Sequence, residues 1–435
     1  MSGDHGDASI GPLPARVNRL LLLAIAPLVL ATLVGLVVLW PGDPPARPSN
    51  LGAPAALETA TVGTVTEGPC GGGGQGGRGT CQTATLRLTS GPDEGTSTVL
   101  EVSVGPGNPS LERGDRIVVG RVPDPAQGNV YYFSDYQRRA PLVVLALLFA
   151  GVVVAIGRLR GLTALLGLVV TFAVLVKFIL PAVLEGESPV LVAIVGSAAA
   201  MLVVLYLSHG VNAQTTTAVL GTLVSLLVIG LLAALFVDVA RIVSLASEDA
   251  TFLQISASQV NLRGVLLGGI IIGSLGVLND VTVTQASAVW TLRAANPGWG
   301  PRRLYRAAMR IGRDHIASVV DTLVLAYAGA SLPLLLLFTL ANRPVGDVLT
   351  GALMAEEIVR ALVGSIGLVL SVPLTSALAA LVAAQAGQPR REGGEGPERG
   401  GAGRRAIVRG PKSRPRPGRR PSRPRRRGGR GPSRS

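Results

Sequence analysis

The stretch that decides the fold is GSLGVLNDVTVTQASAVW, which runs from Gly273 to Trp290. Its one charged residue is Asp280, and the wider segment Gly264–Leu292 has 29 residues and still only that charge. A helix needs about 20 apolar residues to cross the hydrocarbon core of a bilayer, so this segment is long enough. Ionisable side chains are rare and costly inside such segments, which makes the acid the first candidate for a functional residue.

Seven other runs along the chain have the same apolar character. The composition agrees, since 48% of the 435 residues are hydrophobic and only 15% are charged, against about 25% in soluble domains. Helices satisfy their backbone hydrogen bonds internally, as lipid requires, so we predict an all-α polytopic bundle of about eight transmembrane helices. The other runs are Leu20–Trp40, Ala140–Gly157, Gly161–Leu184, Val190–Ser208, Val211–Val237, Ile316–Asn342 and Ala361–Gly387.

The distribution of basic residues predicts the topology. We predict a loop over Arg293–His315, which contains six arginines and one aspartate, and positively charged loops of this length stay in the cytoplasm. The tail Gln388–Ser435 has 17 basic and 3 acidic residues, an excess equal to the whole chain's net charge of +14. We therefore expect both termini in the cytoplasm and the region Pro41–Arg139 outside, as for a multi-pass protein of a cell membrane.

The region outside the membrane has the pattern of a small β-rich domain. TATLRLT and TSTVLEVSV alternate apolar and polar residues, as half-buried strands do. The first apolar run fits an uncleaved signal-anchor helix better than a cleaved signal peptide, because it is long for one. The predicted parts are a cytoplasmic N-terminus (1–19), the signal anchor (20–40), the extracytoplasmic β-rich domain (41–139), a seven-helix membrane domain (140–387) and a disordered Arg/Pro/Gly-rich cytoplasmic tail (388–435).

The two cysteines of the chain, Cys70 and Cys81, both fall in the outside region and bracket the loop GGGGQGGRGT. Disulfides persist on that side of the membrane, so we predict a bond between them; two free thiols are the alternative. The same loop lacks the Gly-Lys-Ser/Thr of a nucleotide-binding loop, and the three histidines are scattered. The sequence therefore predicts no metal site, no cofactor and no enzymatic activity.

Two long motifs resemble the YibE/F family of bacterial membrane proteins. They are LRGVLLGGIIIGSLGVLNDVTVTQASAV and NPGWGPRRLYRAAMRIGRDHIASVVDTLVLAYAGASLPLLLLF, and the resemblance is strongest over Gly264–Phe338. It implies a multi-pass inner-membrane protein of a kind sometimes grouped with transporters. Two features depart from the family pattern: Asp321 stands where the family usually has Asn, and the Arg-rich tail is extra.

The polar residues near Asp280 predict an ion or substrate pathway. Small or polar side chains recur there at steps of three or four residues, so they share one helical stripe that includes Asp280 and Thr284. Asn279 and Gln285 are its polar neighbours, and we expect Asp321 in the next helix to face the same stripe. The alternative is a structural role, in which a protonated Asp280 locks helices together by hydrogen bonding to Gln285, Thr284 or another helix.

Three functions compete on this evidence. The first is a secondary transporter or permease with an intramembrane carboxylate pathway, and the second is a non-transporting membrane scaffold or sensor. The third is an intramembrane aspartyl hydrolase using Asp280 and Asp321, although the Gly-x-Gly-Asp sequence usual in such enzymes is missing before Asp280. The expected partners are the lipid bilayer, an unidentified small solute or ion, a second copy of the chain, and anionic lipid or nucleic acid at the tail.

Overall fold

The computed structural model describes residues 13–42, 56–70, 80–124, 128–244, 247–340 and 344–386, so the predicted tail lies outside the described residues. Helix α1 spans Ala15–Val38, and a π-helical turn occupies Leu175–Ile179. The strands are β1 (Ala56–Pro69), β2 (Thr80–Leu88), β3 (Ser97–Ser103), β4 (Arg116–Asp124) and β5 (Gly128–Tyr136). The other helices are α2 (Arg139–Val174), α3 (Leu180–Leu184), α4 (Pro189–His209), α5 (Ala213–Val239), α6 (Glu248–Ser256), α7 (Leu262–Ala295), α8 (Pro301–Ala330), α9 (Leu332–Leu340), α10 (Val345–Thr350) and α11 (Ala352–Ala383).

The five strands form one antiparallel sheet in the order β3-β2-β1-β4-β5. Along β2 buried and exposed side chains alternate, as the sequence pattern predicts. The inward residues Leu86, Leu88, Ile117 and Val119 are almost fully buried and pack together. Burial of this apolar face stabilises the sheet, and the prediction of a β-rich domain is confirmed.

Helices α5, α7 and α11 pack against one another, and α4 packs on α7, to form the centre of the bundle. Their contact includes Ile229, Ile270, Ile271 and Leu278, each at most 1% exposed. Asparagine side chains cap the N-terminal ends of two of these helices. The Asn212 side chain accepts a hydrogen bond from the Thr215 N–H at the start of α5, and the Asn261 side chain accepts one from the Gly264 N–H at the start of α7. Such caps satisfy backbone donors that have no partner within the helix.

Two glycines set how closely α5 and α11 approach. A Cβ on Gly221 of α5 would collide with Thr375 of α11, and a Cβ on Gly367 of α11 would collide with Ile229 of α5. Small residues allow helix backbones to come close in membranes, where van der Waals packing drives association. Neither position tolerates a side chain unless the helices move apart.

Within the described residues, six helices are long and apolar enough to cross a membrane, and the count is seven if the bent pair α8 and α9 is one span. The predicted polytopic helical bundle is thus confirmed, with a lower count than the eight predicted runs. The difference lies between Arg139 and Leu184, where the two predicted runs are counted together as one stretch of 46 residues although the helix is broken at Arg158.

That stretch is broken at Arg158, whose backbone has φ 51° and ψ −131°, outside the helical region. A Cβ on Gly161 would collide with the carbonyl group of Val153. In a straight helix residues eight apart are separated by about 12 Å, so the chain bends back sharply at Arg158. The bend falls between the two predicted runs.

The arginine-rich segment predicted as the loop Arg293–His315 is mostly helical. Helix α7 continues to Ala295 and α8 already begins at Pro301. Leu304, Ala308 and Gly312 are buried at steps of four residues, so one face of α8 packs on the bundle while the arginines of α8 are exposed. Arg293, at the end of α7, is buried instead. The loop prediction was wrong because charge was counted without this helical periodicity.

Candidate functional site: a buried polar seam between three helices

Eight polar side chains that are 0% exposed lie on the three central helices. We call this set the polar seam. Buried polar groups need hydrogen-bond partners, and most of the seam hydroxyls find them in carbonyl groups of their own helix. The seam residues are Thr217, Thr222 and Ser225 on α5, Thr282 and Gln285 on α7, and Ser371, Thr375 and Ser376 on α11.

A pair of hydroxyl groups joins α5 to α7 within the seam. The Oγ1 atoms of Thr222 and Thr282 are 2.7 Å apart. Each also lies within hydrogen-bonding distance of a carbonyl of its own helix, at 2.9 Å from Ala218 and 2.8 Å from Leu278. Thr222 is nine residues after the start of α5, about 14 Å along the helix, which is near the middle of a bilayer core.

Gln285 links α7 to α11 and has an amide nitrogen left over. Its Oε1 accepts a hydrogen bond of 3.0 Å from the Ser376 hydroxyl. Its Nε2 is buried and has no partner within the described part of the chain. Gly312 of α8 covers this amide, since a Cβ there would lie 3.1 Å from both Nε2 and Oε1.

Thr375 supplies a second buried polar atom without a partner among the described residues, its Oγ1. It lies two residues after Pro373, which is inside the continuous helix α11. A proline has no N–H, so the carbonyl of Val369 loses its helical donor. The neighbouring Ser371 hydroxyl bonds the Leu368 carbonyl three residues back, at 2.7 Å. This part of α11 therefore combines one hydroxyl that has no partner among the described residues with a carbonyl that lacks its usual helical donor.

The chemistry of the seam is that of an uncharged polar binding surface. A buried polar atom without a partner costs about 1–3 kcal/mol, so Gln285 and Thr375 favour a conformation or a ligand that satisfies them. The hydroxyls that donate to their own helices keep lone pairs on oxygen, which can accept from a solute or coordinate a cation. The seam can thus offer both donors and acceptors in the middle of the bundle.

Two small cavities adjoin the central helices. One lies between α7, α8 and α11, and the other lies at the start of α5 beside α7. The second contains Thr215 and Ala218 of α5 and Ala286 of α7, the immediate neighbours of seam residues. The first is lined by Gly273, Ser274, Val277, Leu323, Tyr327, Gly364 and Leu368.

The residues predicted as a pathway around Asp280 divide between two faces of α7. Gln285 belongs to the seam, whereas Asp280 and Thr284 are exposed on the surface of the bundle. Each of these two positions is two residues from Thr282, about 200° around the helix. Asn279 is half-buried, and its Oδ1 has no partner among the described residues.

Asp321 lies on the outer face of α8. Val319 and Leu323, two residues to either side, pack against Val281 and Leu368 of the bundle. A residue between them points to the other side of the helix, and Asp321 is indeed exposed. The structure therefore does not bring the Asp321 and Asp280 carboxylates into one seam, which leaves no geometry for shared acid–base chemistry.

The other predicted site, in the β-rich domain, has the pairing expected from the sequence. A disulfide joins Cys70 and Cys81, with their Cα atoms 4.9 Å apart. It ties the end of β1 to the start of β2, where Gly68 already pairs with Cys81. An oxygen of Glu101 lies within 4.8 Å of both sulfur atoms. Metal ions bind cysteine as the thiolate, and the sulfur atoms of a disulfide are not thiolates. The Cys70–Cys81 bond is therefore a structural cross-link here.

Most of the seam was missed by reasoning from the sequence, although two signals were present. TTTAVLGTLVS in α5 and SVPLTS in α11 place several hydroxyl residues within otherwise apolar runs. The second motif also contains the interior proline, Pro373. Attention to hydroxyls as well as acids would have selected Thr222, Thr375 and Ser376.

Comparison with known proteins gives one match, to a protein family. No curated protein and no solved structure matches the chain significantly. The family profile described as YibE/F-like protein matches residues 145–385, which include α4, α5, α7, α8 and the whole of α11. This region is more than half of the chain and contains every seam residue, and it confirms the resemblance seen in the two sequence motifs. The chain belongs to the YibE/F-like family of multi-pass membrane proteins.

Proposed function

We propose that the protein is a secondary transporter or permease whose pathway includes the polar seam. The observation that carries this proposal is the Gln285 amide, which is fully buried within the helical bundle and leaves Nε2 without a partner among the described residues. Lipid-spanning helices rarely contain such groups unless they pair or line a pathway. The solute in this proposal is a small ion or polar molecule that Gln285, Thr375 and Ser376 contact directly.

The arrangement of the seam supports a pathway more than a set of structural locks. A lock needs only paired groups, such as Thr222 with Thr282, whereas Gln285 and Thr375 each keep an unused donor. Pro373 also removes the helical donor of the Val369 carbonyl, within a helix that is continuous from Ala352 to Ala383. Since the cavities beside the seam are small, the conformation described here corresponds to a closed state.

In this proposal the neutral side chains of the seam contact the solute, and the carboxylates of Asp280 and Asp321 do not. Asp280 lies on the opposite face of α7 and Asp321 on the outer face of α8, so neither lines the seam in this conformation. We do not propose the aspartyl hydrolase, because that chemistry needs both carboxylates at one reacting bond. We also propose that the chain has no enzymatic activity.

The test is ion movement into vesicles that contain the full chain. A pH-sensitive dye is enclosed, and proton, sodium and potassium gradients are imposed in turn. The seam proposal expects Gln285→Leu to reduce the flux at least tenfold, because leucine has nearly the same volume but no polar atoms. The matched control is Gln254→Leu on α6, where the amide is half-exposed and its Nε2 bonds the Ser258 carbonyl.

Asp280→Asn in the same assay separates the seam from a carboxylate pathway. Asparagine keeps the size and hydrogen bonding of the side chain but removes its titratable proton. The seam proposal expects this variant to retain most of the flux lost in Gln285→Leu. Loss of pH-coupled flux in Asp280→Asn with full flux in Gln285→Leu would support the carboxylate pathway instead. Absence of flux in the unchanged chain and in all variants would favour the scaffold or sensor. Equal and unchanged flux in all variants would exclude both Gln285 and Asp280 from the pathway.

A further inference from the structure

A row of arginines follows one face of α8. Arg302, Arg306, Arg310 and Arg313 are separated by steps of four, four and three residues, which place them on one stripe of the helix. All four side chains are exposed. We call this stripe the arginine row. On the other side of the same helix Leu304, Ala308 and Gly312 are buried against the bundle.

The positive charge of the arginine row is not neutralised within the described part of the chain. None of its four guanidinium groups makes an ion pair or a hydrogen bond there, although four ion pairs occur elsewhere in the described residues. The row extends over eleven residues, about 16 Å along the helix. Such a density of like charges on one rigid face is an attractive surface for an anionic partner.

The position of the row indicates which partner it meets. Helix α8 continues without a break from Arg313 into the apolar residues that form a candidate span with α9. Next to the row, Ile311 exposes 45% of its surface, and the Arg303 guanidinium stacks over the Trp299 ring at 4.5 Å. Exposed apolar and aromatic groups beside cationic ones are typical of the boundary between hydrocarbon and headgroups.

We propose that the arginine row is a binding surface for the headgroups of anionic phospholipids in the adjacent leaflet. Guanidinium groups match phosphate oxygens with paired hydrogen bonds and remain charged at every physiological pH. Successive members of the row are about 6 Å apart along the axis, and their long side chains reach from the helix towards the bilayer surface. Headgroup binding therefore holds α8 at a fixed depth relative to the bilayer surface. It also fixes Gly312 of α8, which packs over the Gln285 amide.

An anionic lipid fits better than a nucleic acid or an acidic protein because of the continuity between the row and the span. A partner in solution would need only the charge, whereas the row ends at a membrane-entering helix with apolar side chains exposed beside it. The basic tail is a separate feature. Its contribution to lipid binding should be the same in the unchanged chain and in variants that change only α8.

The experiment compares two full-chain variants in neutral detergent with added phosphatidylglycerol. One is Arg302→Gln/Arg306→Gln/Arg310→Gln; the control, Arg87→Gln/Arg113→Gln/Arg116→Gln, removes the same charge from exposed positions of the β-rich domain. Lipid retention is counted by native mass spectrometry, and phosphatidylcholine is the neutral comparison. We expect about fivefold weaker phosphatidylglycerol binding for each arginine removed and roughly a hundredfold for the row variant. The control is expected to bind like the unchanged chain.

Three results would overturn the proposal. The row variant could bind phosphatidylglycerol as tightly as the unchanged chain, or the control could lose as much binding as the row variant. Alternatively, inorganic phosphate or a short RNA could displace the lipid from the unchanged chain but not from the row variant. Because the substituted side chains are exposed, the variant should fold; Arg306→Gln alone, with its fivefold effect, provides the test if it does not.

Discussion

The hydroxyl groups of Thr222 and Thr282 form a 2.7 Å hydrogen bond between α5 and α7, with both side chains 0% exposed. Hydrogen bonds between transmembrane helices average about 0.6 kcal/mol and reach about 1.7 kcal/mol. This contact joins two helices of the seam without contributing an unpaired donor. It is therefore the part of the seam expected to contribute to stability more than to solute binding.

We predict that Thr222→Val and Thr282→Val each lower the free energy of unfolding by about 1 kcal/mol. The double variant should lower the free energy of unfolding by less than the sum of the two single changes, because the second substitution removes a hydroxyl that has already lost its partner. Thermal unfolding in detergent gives the three values. Thr339→Val on α9 is the control, since that exposed hydroxyl bonds only its own helix. Strict additivity in the double variant would show that the two hydroxyls do not interact.

Gly312 provides a second prediction about the cover of the seam. A Cβ at this position would collide with Val372 and approach the Gln285 amide, so Gly312→Ala should destabilise the packing of α8 by about 1–3 kcal/mol. Gly329→Ala on the same helix is the control, because nothing lies within 4 Å of its added Cβ. Alanine at an open helical position should instead stabilise by up to about 1 kcal/mol. Unfolding curves of equal midpoint for the two variants would contradict the packing described here.

The β-rich domain should lose stability in alkaline solution because of Tyr131. Burial, the 2.7 Å hydrogen bond to Asp93 and the nearby charge of Glu58 together raise the pKa of this phenol well above its usual range. Below pH 10 the phenol is neutral in both states. Above pH 10 it ionises mainly in the unfolded chain, so the free energy of unfolding falls as the pH rises.

Tyr131→Phe should remove part of this alkaline dependence, while costing about 1 kcal/mol at neutral pH for the lost hydrogen bond. Some dependence should remain, since burial also raises the pKa of Tyr136. Urea unfolding of the full chain at pH 7 and pH 10.5, followed by protease cleavage within the β-rich domain, measures both effects. Tyr132→Phe, which alters an exposed ring on the same strand, is the control. An unchanged alkaline slope in Tyr131→Phe would rule out this explanation.

The topology can be tested independently of any activity. We expect reporters fused after Gly120, within β4, and after Arg310, within α8, to lie on opposite sides of the membrane. The arginines of α8 favour the cytoplasm, and the disulfide between Cys70 and Cys81 favours the outside for the strands. Placement of both reporters on one side would refute the proposed orientation. A fusion after Asp314 repeats the second measurement beyond the arginine row.

The sequence predicts the classes of structure well and the inward face of a helix poorly. Period and composition identify the apolar helices and the alternating strands because both patterns are local. On α7, however, two stripes contain small or polar residues: one includes Asp280 and Thr284, the other Thr282 and Gln285. Spacing sorts residues into stripes but does not tell which stripe faces other helices. That depends on contacts with α5 and α11, which are distant in sequence.

The same limit explains the misassigned segment before His315. Charge counting marks it as a loop, whereas the spacing of Leu304, Ala308 and Gly312 already indicates an amphipathic helix. At Arg158 the sequence does indicate where the helix breaks, but not that the chain turns there without a loop. Two charged residues, Arg158 and Arg160, separate the runs in the sequence, but the backbone needs only one non-helical residue to turn there. Local patterns thus predict where an element ends better than how the chain continues.

The glycines that let α5 and α11 touch also restrict how the bundle can move. Each helix contributes one glycine and one side chain that packs against the glycine of the other helix. Thr375 of α11 packs against Gly221 of α5, and Ile229 of α5 packs against Gly367 of α11. The paired positions are eight residues apart on both helices, about 12 Å, and run in opposite directions. Two reciprocal contacts at that separation oppose sliding or rotation of one helix against the other. We therefore expect any opening of the seam to come from displacement of α7 or α8 relative to this pair.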